Sequence, residues 1–258
     1  MNLIHPVISN WKELMLKLAA GMGANVIDEP GFFRMITGLP DAVFNPVGLT
    51  RLAEAEAERR IAETVAIARE RRIPVEYWVA PDSKPEDLDV LLVNAGFEFA
   101  YEVPAMVIEG LGSWPRTGEM PNLTYRVAVT DEVLGDLRVP FSVYGLSSQT
   151  IDALIHCIPL MRDSFVQLVG YEDGVAVCAG AVQFGGGEAG IYNIGTVAEA
   201  RGRGLGTAVT CKCLSLSKER GYDTAVLTSS PQGFRVYESL GFEHVFSIPH
   251  YRFDGRKG

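Results

Sequence analysis

The sequence predicts a mixed α/β protein made of two similar domains in tandem, and three observations carry that prediction. Strand-like and helix-like stretches alternate through the C-terminal half. A segment with neither period separates two halves of ordinary domain size. The two halves also share a closing corner, in register.

The separator is "EGLGSWPRTGEMPN" at 109–122, where glycine, proline and polar residues break both periods. It gives an N-terminal domain at 1–112, a linker at 113–122 and a C-terminal domain at 123–258. In the C-terminal domain, "LTYRVAVT" reads as a strand. "FVQLVGYEDGVAVCAGAVQF" reads as two more, joined by a turn at Asp173-Gly174. "GIYNIGTV" is a further short strand. From Leu205 the period changes, because Leu205, Val209, Cys213 and Leu216 fall on one helical stripe. Lys218 and Arg220 complement the helix end and Gly221 stops it. "TAVLTSS" is then a buried strand, "GFRVYESLG" a short helix and "HVFSIPHYRF" the last strand.

The repeat rests on "NAGFEFAYEVPAMVIEG" (94–110) and "SLGFEHVFSIPHYRFDG" (239–255). At a constant offset of 145 residues, Gly96, Phe97, Glu98, Pro104 and Gly110 meet Gly241, Phe242, Glu243, Pro249 and Gly255. Upstream, 61–81 repeats the helix-then-strand order of 214–231, with a gap of a few residues.

Composition narrows the function. A net charge of −9 argues against nucleic acid as the main partner, since phosphate-tracking surfaces are basic. No run approaches the roughly 18 apolar residues of a membrane helix. The start, "MNLIHPVISNWKELMLKLAAGMG", has charges inside an amphipathic pattern rather than a basic start and an apolar block, so no secretory signal is expected. Cys157, Cys178, Cys211 and Cys213 lie in apolar runs without metal-site spacing, so no metal is expected. A reduced, cytoplasmic protein is the plain reading.

The chemistry is concentrated in "AEARGRGLGTAVTCKCL" at 198–214. Gly202, Gly204 and Gly206 stand where a helix must begin, beside Arg201 and Arg203. First-turn amides lack intrahelical partners and carry the positive end of the helix dipole, and glycine lets an anion come close. The assembly suits a phosphate or pyrophosphate; a flexible strand-to-helix corner with solvated arginines is the plainer alternative. A P-loop lysine is missing, and the third glycine comes one residue early for a dinucleotide fingerprint.

"RGRGLG" (201–206) resembles the Arg/Gln-x-x-Gly-x-Gly/Ala signature of the GNAT (GCN5-related) N-acetyltransferases, and "SSPQGFRVYESLGFEHV" (229–245) resembles that family's second signature. The likeness covers 121–255 and weakens over 24–108, as in a tandem GNAT protein with one degenerate copy. It implies that each domain is a mixed, mostly antiparallel sheet flanked by helices. It also implies that the amides of Arg203, Gly204, Leu205, Gly206 and Thr207, with Arg201 and Gly202, cradle the pyrophosphate of acetyl-CoA or another acyl-CoA. The pantetheine arm would then pair with the backbone of Ile194, Gly195, Thr196 and Val197. Tyr237 would donate a proton to the coenzyme A sulfur, and Ser230 would line the channel where the family often has asparagine.

No general base declares itself: Glu188 and Glu199 read as exposed loop residues and His156 as a core histidine. In the N-terminal copy, "RLAEAEAERR" (51–60) puts Glu54, Glu56 and Glu58 where the glycines belong, which closes that end to a pyrophosphate. The expected function is transfer of an acyl group to a primary amine, on a small molecule or a peptide, by direct attack in a ternary complex. A non-catalytic acyl-CoA-binding sensor or assembly module is the alternative. A homodimer is one expectation for the assembly.

Overall fold

The computed structural model describes residues 4–116 and 118–257, and these form two compact units. One unit takes the chain up to Leu18 and Pro104–Val245. The other takes Ala19–Val103 and the chain from Phe246 onward. Neither is a contiguous half, so the expected domains at 1–112 and 123–258 do not describe the packing.

Strand exchange is the reason. β5 (Glu98–Glu109) closes the N-terminal copy in sequence, yet its second half pairs antiparallel with β10 (Thr224–Thr228), from Thr224↔Glu109 to Thr228↔Ala105. β11 (Glu243–Asp254) closes the C-terminal copy, yet its second half pairs antiparallel with β4 (Pro74–Trp78), from His250↔Trp78 to Asp254↔Pro74. The repeated prolines sit at equivalent points of the two strands. The Pro104 carbonyl accepts from Ser229 N–H at 2.8 Å, and the Pro249 carbonyl from Val79 N–H at 3.0 Å. A proline serves there because the bond needs only its carbonyl. Two more matched pairs agree as well, since Gly96 and Gly241 have φ of +92° and +97° and Phe97 and Phe242 are both buried, whereas Gly110 has a φ of +76° that Gly255 does not share.

In the unit that contains the glycine loop, the strand order is β5–β10–β9–β8–β7–β6, with β9 at Glu188–Thr196, β8 at Val175–Gly185, β7 at Phe165–Glu172 and β6 at Leu123–Val127. Helix α7 (Leu205–Glu219) carries the predicted stripe: Leu205, Val209 and Cys213 are buried and Leu216 is half-buried. Cys213 and Leu216 join Met106, Ile108, Leu168, Val182 and Ile191 in one apolar core, and Leu205 and Val209 join Leu123, Val177 and Cys178 in another. The helix ends at Arg220, and Gly221 takes a φ of +83°.

Most of α1 (Ile4–Met22) also belongs to this unit, although it lies at the other end of the sequence. Asn10 fixes it there. Its buried amide donates to the carbonyls of Gly185 at 3.1 Å and Glu188 at 3.0 Å, and its Oδ1 accepts from the Tyr192 hydroxyl at 2.9 Å. Burying a side-chain amide is tolerable only with partners of this kind.

The other unit orders β1 (Asn25–Glu29), β2 (Phe32–Ile36), β3 (Pro46–Gly48), β4 and β11, with α2 (Glu54–Arg71) and α3 (Leu88–Asn94). Phe32, Ile61, Tyr77, Leu92 and Phe97 form its core. Glu76 is fully buried in it and accepts from Tyr101, Arg252 and His250. Burial alone would raise that carboxyl, but the His250 hydrogen bond and the charges of His250 and Arg252 outweigh it and hold the pKa low. No described helix is long and apolar enough to cross a membrane, and all four cysteines are buried and unpaired.

Candidate active site

β9 runs parallel to β10 for two residue pairs only, Ala225↔Ala189 and Val226↔Gly190. Its other edge stays paired with β8 as far as Cys178↔Thr196. Beyond Gly190, therefore, the β10-facing backbone of β9 is in no ladder. A bulge lies in this stretch, where Asn193 and Ile194 of β9 stand opposite Gly180 alone on β8 and Asn193 adopts a φ of +54°. From Ile194 to Thr196 the edge of β9 turned away from β8 is in no ladder, although the Thr196 carbonyl accepts from Arg201 and Val197 N–H donates to the Val177 carbonyl. A strand-like ligand can pair with such an edge.

The strand leads through a short 3₁₀ turn (Ala198–Ala200) to the glycine loop. Gly202 and Gly204 have φ of +74° and +81°, a region that disfavours residues with a Cβ, and a Cβ at either would have no atom within 4 Å. Gly204 is the N-cap of α7, no side chain caps the helix, and the first turn has no acidic residue. The amides of Leu205, Gly206 and Thr207 therefore open onto space at the positive end of a long helix. The two arginines are partly committed elsewhere. Arg201 Nε donates to the Thr196 carbonyl at 3.2 Å, and Arg203 pairs with Glu172 at 2.8 Å.

Tyr237 comes from α8 (Phe234–Ser239), across the opening. Its ring packs edge-on against Phe242, with centroids 5.9 Å apart, and Gly233 leaves it room: a Cβ there would lie 2.8 Å from the ring. Only 8% of the residue is exposed, and its hydroxyl makes no hydrogen bond to the described residues. Burial, with a smaller effect from Cys213, pushes the hydroxyl far above its ordinary pKa, so it stays protonated and able to donate. Ser230 is exposed, and its hydroxyl accepts from Gly233 N–H at 3.2 Å, which braces the turn into α8.

Of the expected bystanders, His156 and Glu188 differ from their sequence readings and Glu199 does not. His156 is exposed on α6 (Ser148–Cys157) and is no core residue. Glu188 is half-buried with Oε2 unpartnered, and burial raises its pKa, but it lies at the hairpin end of β9, away from the glycine loop. Glu199 is exposed and lines an open cavity of about 550 Å³ with Val139, Val143, Val175, Val177 and Arg203.

Sequence reasoning missed the polar groups inside the sheet. Gln167 and Gln183 are fully buried on β7 and β8. Gln167 donates to the Gly180 carbonyl at 3.0 Å and accepts from Asn193 at 2.9 Å, which fixes the bulge. A glutamine inside the apolar runs "FVQLV" and "GAVQF" was the available signal.

The corresponding corner of the other unit is closed by its own chain. β3 pairs parallel with β4 over all three of its residues. Beyond it, Lys84 N–H donates to the Thr50 carbonyl at 2.7 Å and Leu52 N–H to the Lys84 carbonyl at 3.3 Å, so backbone occupies the edge left free on β9. Helix α2 starts with Glu54 and Glu56, and Glu56 accepts from Arg59 and Arg60.

Residues 132–242 match the family model described as the Acetyltransferase (GNAT) family. This segment is a GNAT domain. Similar solved structures extend the likeness to the whole chain. A GCN5-related N-acetyltransferase from Kribbella flavida has a TM-score of 0.69 at 17% identity, over 93% of this chain and 94% of that one. One from Sphaerobacter thermophilus has a TM-score of 0.63 at 14% identity, over 91% and 77%. A tandem GNAT protein from the clavulanic acid biosynthesis pathway has a TM-score of 0.62 at 14% identity, over 96% and 95%. At such identities the likeness is one of fold, and it spans both GNAT-like units. No curated protein sequence matches the chain.

Proposed function

We propose that the GNAT domain transfers an acyl group from acetyl-CoA, or another acyl-CoA, to a primary amine. The observation that carries this reading is the conjunction of an unpaired β9 edge with uncapped amides at the N-terminus of α7. The amides of Arg203–Thr207 would hold the pyrophosphate, and the backbone of Ile194–Val197 would pair with the pantetheine arm.

Direct attack needs a neutral amine, stabilisation of the tetrahedral oxyanion and a proton for the departing thiolate. The amine nitrogen would bond to the acyl carbon as the carbon–sulfur bond breaks, and the sulfur would take its proton from Tyr237. Asn193, Gln167, Gln183 and Tyr192 are uncharged, so no carboxylate of theirs serves as base, and the amine would lose its proton through water. That feature also favours the second reading, an acyl-CoA-binding module without turnover. The other unit would take no cofactor, because its own backbone and glutamates occupy the equivalent corner.

Calorimetry with acetyl-CoA tests the pyrophosphate site. Gly204→Glu places a carboxylate, and a side chain at positive φ, where the phosphates would sit. Affinity is expected to fall by about a hundredfold or more, the scale of a lost charge-assisted contact plus repulsion. Unchanged affinity would remove the site from the loop.

A further inference from the structure

A second tyrosine stands over the opened strand. Tyr144 ends a 3₁₀ turn, Ser142–Tyr144, that follows α5 (Arg138–Phe141). A Cβ built on Gly195 would lie 2.8 Å from the Tyr144 hydroxyl, 3.1 Å from Val143 Cγ2 and 3.2 Å from the Pro140 carbonyl oxygen. Segment 140–144 is thus pressed onto β9 at the point where its edge has come free, and glycine at 195 is what lets it seat. Although 38% of Tyr144 is exposed, its hydroxyl end is turned inward. Desolvation, and then the neighbouring Tyr237, drive its pKa well up.

Resting on the reading that an acyl-CoA thioester lies along β9, we propose that Tyr144 sets the length of acyl group the site accepts. Its hydroxyl end, packed over Gly195, fills the space into which a longer chain would grow from the thioester on that face of the strand. Close-packed protein does not admit extra methylenes without moving something. Val143, the next residue, both touches Gly195 and lines the valine-rich cavity of about 550 Å³. Open space therefore lies one residue away from Tyr144, in a cavity whose lining also includes Val197, Arg201 and Arg203. Short acyl groups, acetyl above all, would be the natural cargo. Cutting Tyr144 back would join the strand edge to the cavity.

The test is calorimetric titration of the full chain with CoA, acetyl-CoA, butyryl-CoA and hexanoyl-CoA, for wild type and Tyr144→Ala. Wild type is expected to bind hexanoyl-CoA at least about tenfold more weakly than acetyl-CoA. In Tyr144→Ala that gap should close to within about threefold, with affinity for free CoA held. If thermal unfolding shows that Tyr144→Ala does not fold, Tyr144→Leu should narrow the gap in the same direction. Equal affinity of wild type for acetyl- and hexanoyl-CoA would overturn the proposal without any variant. So would a gap that survives in Tyr144→Ala. Binding of none of the four by wild type would defeat the acyl-CoA reading itself, an outcome distinct from loss of the length preference alone.

Discussion

Residues 113–258, expressed alone, are expected not to fold cooperatively, even though they contain the whole matched GNAT segment. The fragment lacks the β5 half that pairs with β10 along five residues, and with it Met106 and Ile108 from the core beneath α7. It also lacks Leu111, which is fully buried there, and the part of α1 pinned by Asn10. Truncating one such buried side chain costs about 2–5 kcal/mol, and whole domains are stable by only about 5–15 kcal/mol. Removing a strand and a helix together exceeds that margin. Urea unfolding followed by circular dichroism checks it: the full chain should give a sigmoidal transition and the fragment a shallow drift. A fragment that unfolds sharply at the full-chain midpoint and binds acetyl-CoA would refute the strand exchange as an obligatory feature.

Tyr237→Phe is expected to lower turnover by about a hundredfold or more, the usual scale of a lost general acid. The phenyl ring keeps the contact with Phe242 and still needs the space beside Gly233, so packing should survive. Acetyl-CoA affinity should therefore stay within about threefold of wild type, which separates a chemical loss from a folding loss. Free-thiol release against an amine panel measures the rate. The sign of the pH effect also follows. Burial raises the Tyr237 pKa, so the donor form persists above the ordinary tyrosine range. No falling limb from this group should then appear below about pH 10. Undiminished release by Tyr237→Phe would take the acid role from this residue.

Local features were legible in the sequence because they follow from neighbours along the chain. The α7 stripe, the glycines ahead of it and the paired Gly-Phe corners at 96–97 and 241–242 are all set by local spacing and backbone freedom. Which strand closes which unit was not legible. A linker composition marks where the chain lacks structure, and the exchange depends on pairings between residues more than a hundred positions apart, such as Ala105 with Thr228. Arg203 illustrates the same limit: its charge was plain, but Glu172, its partner, lies at the end of β7. Tyr144 carried no signal of its own, because its role depends on Gly195 having no side chain. His156 was misplaced because an apolar neighbourhood in sequence becomes two faces on a helix, and it falls on the outer one.

Two-dimensional amide NMR of the full chain, titrated with coenzyme A, tests the central claim most directly. The account predicts shifts that cluster at Ile194–Val197 and Arg203–Thr207, with Glu54–Arg60 unmoved. Shifts at Glu54–Arg60, or a silent loop at Arg203–Thr207 while coenzyme A binds, would contradict it.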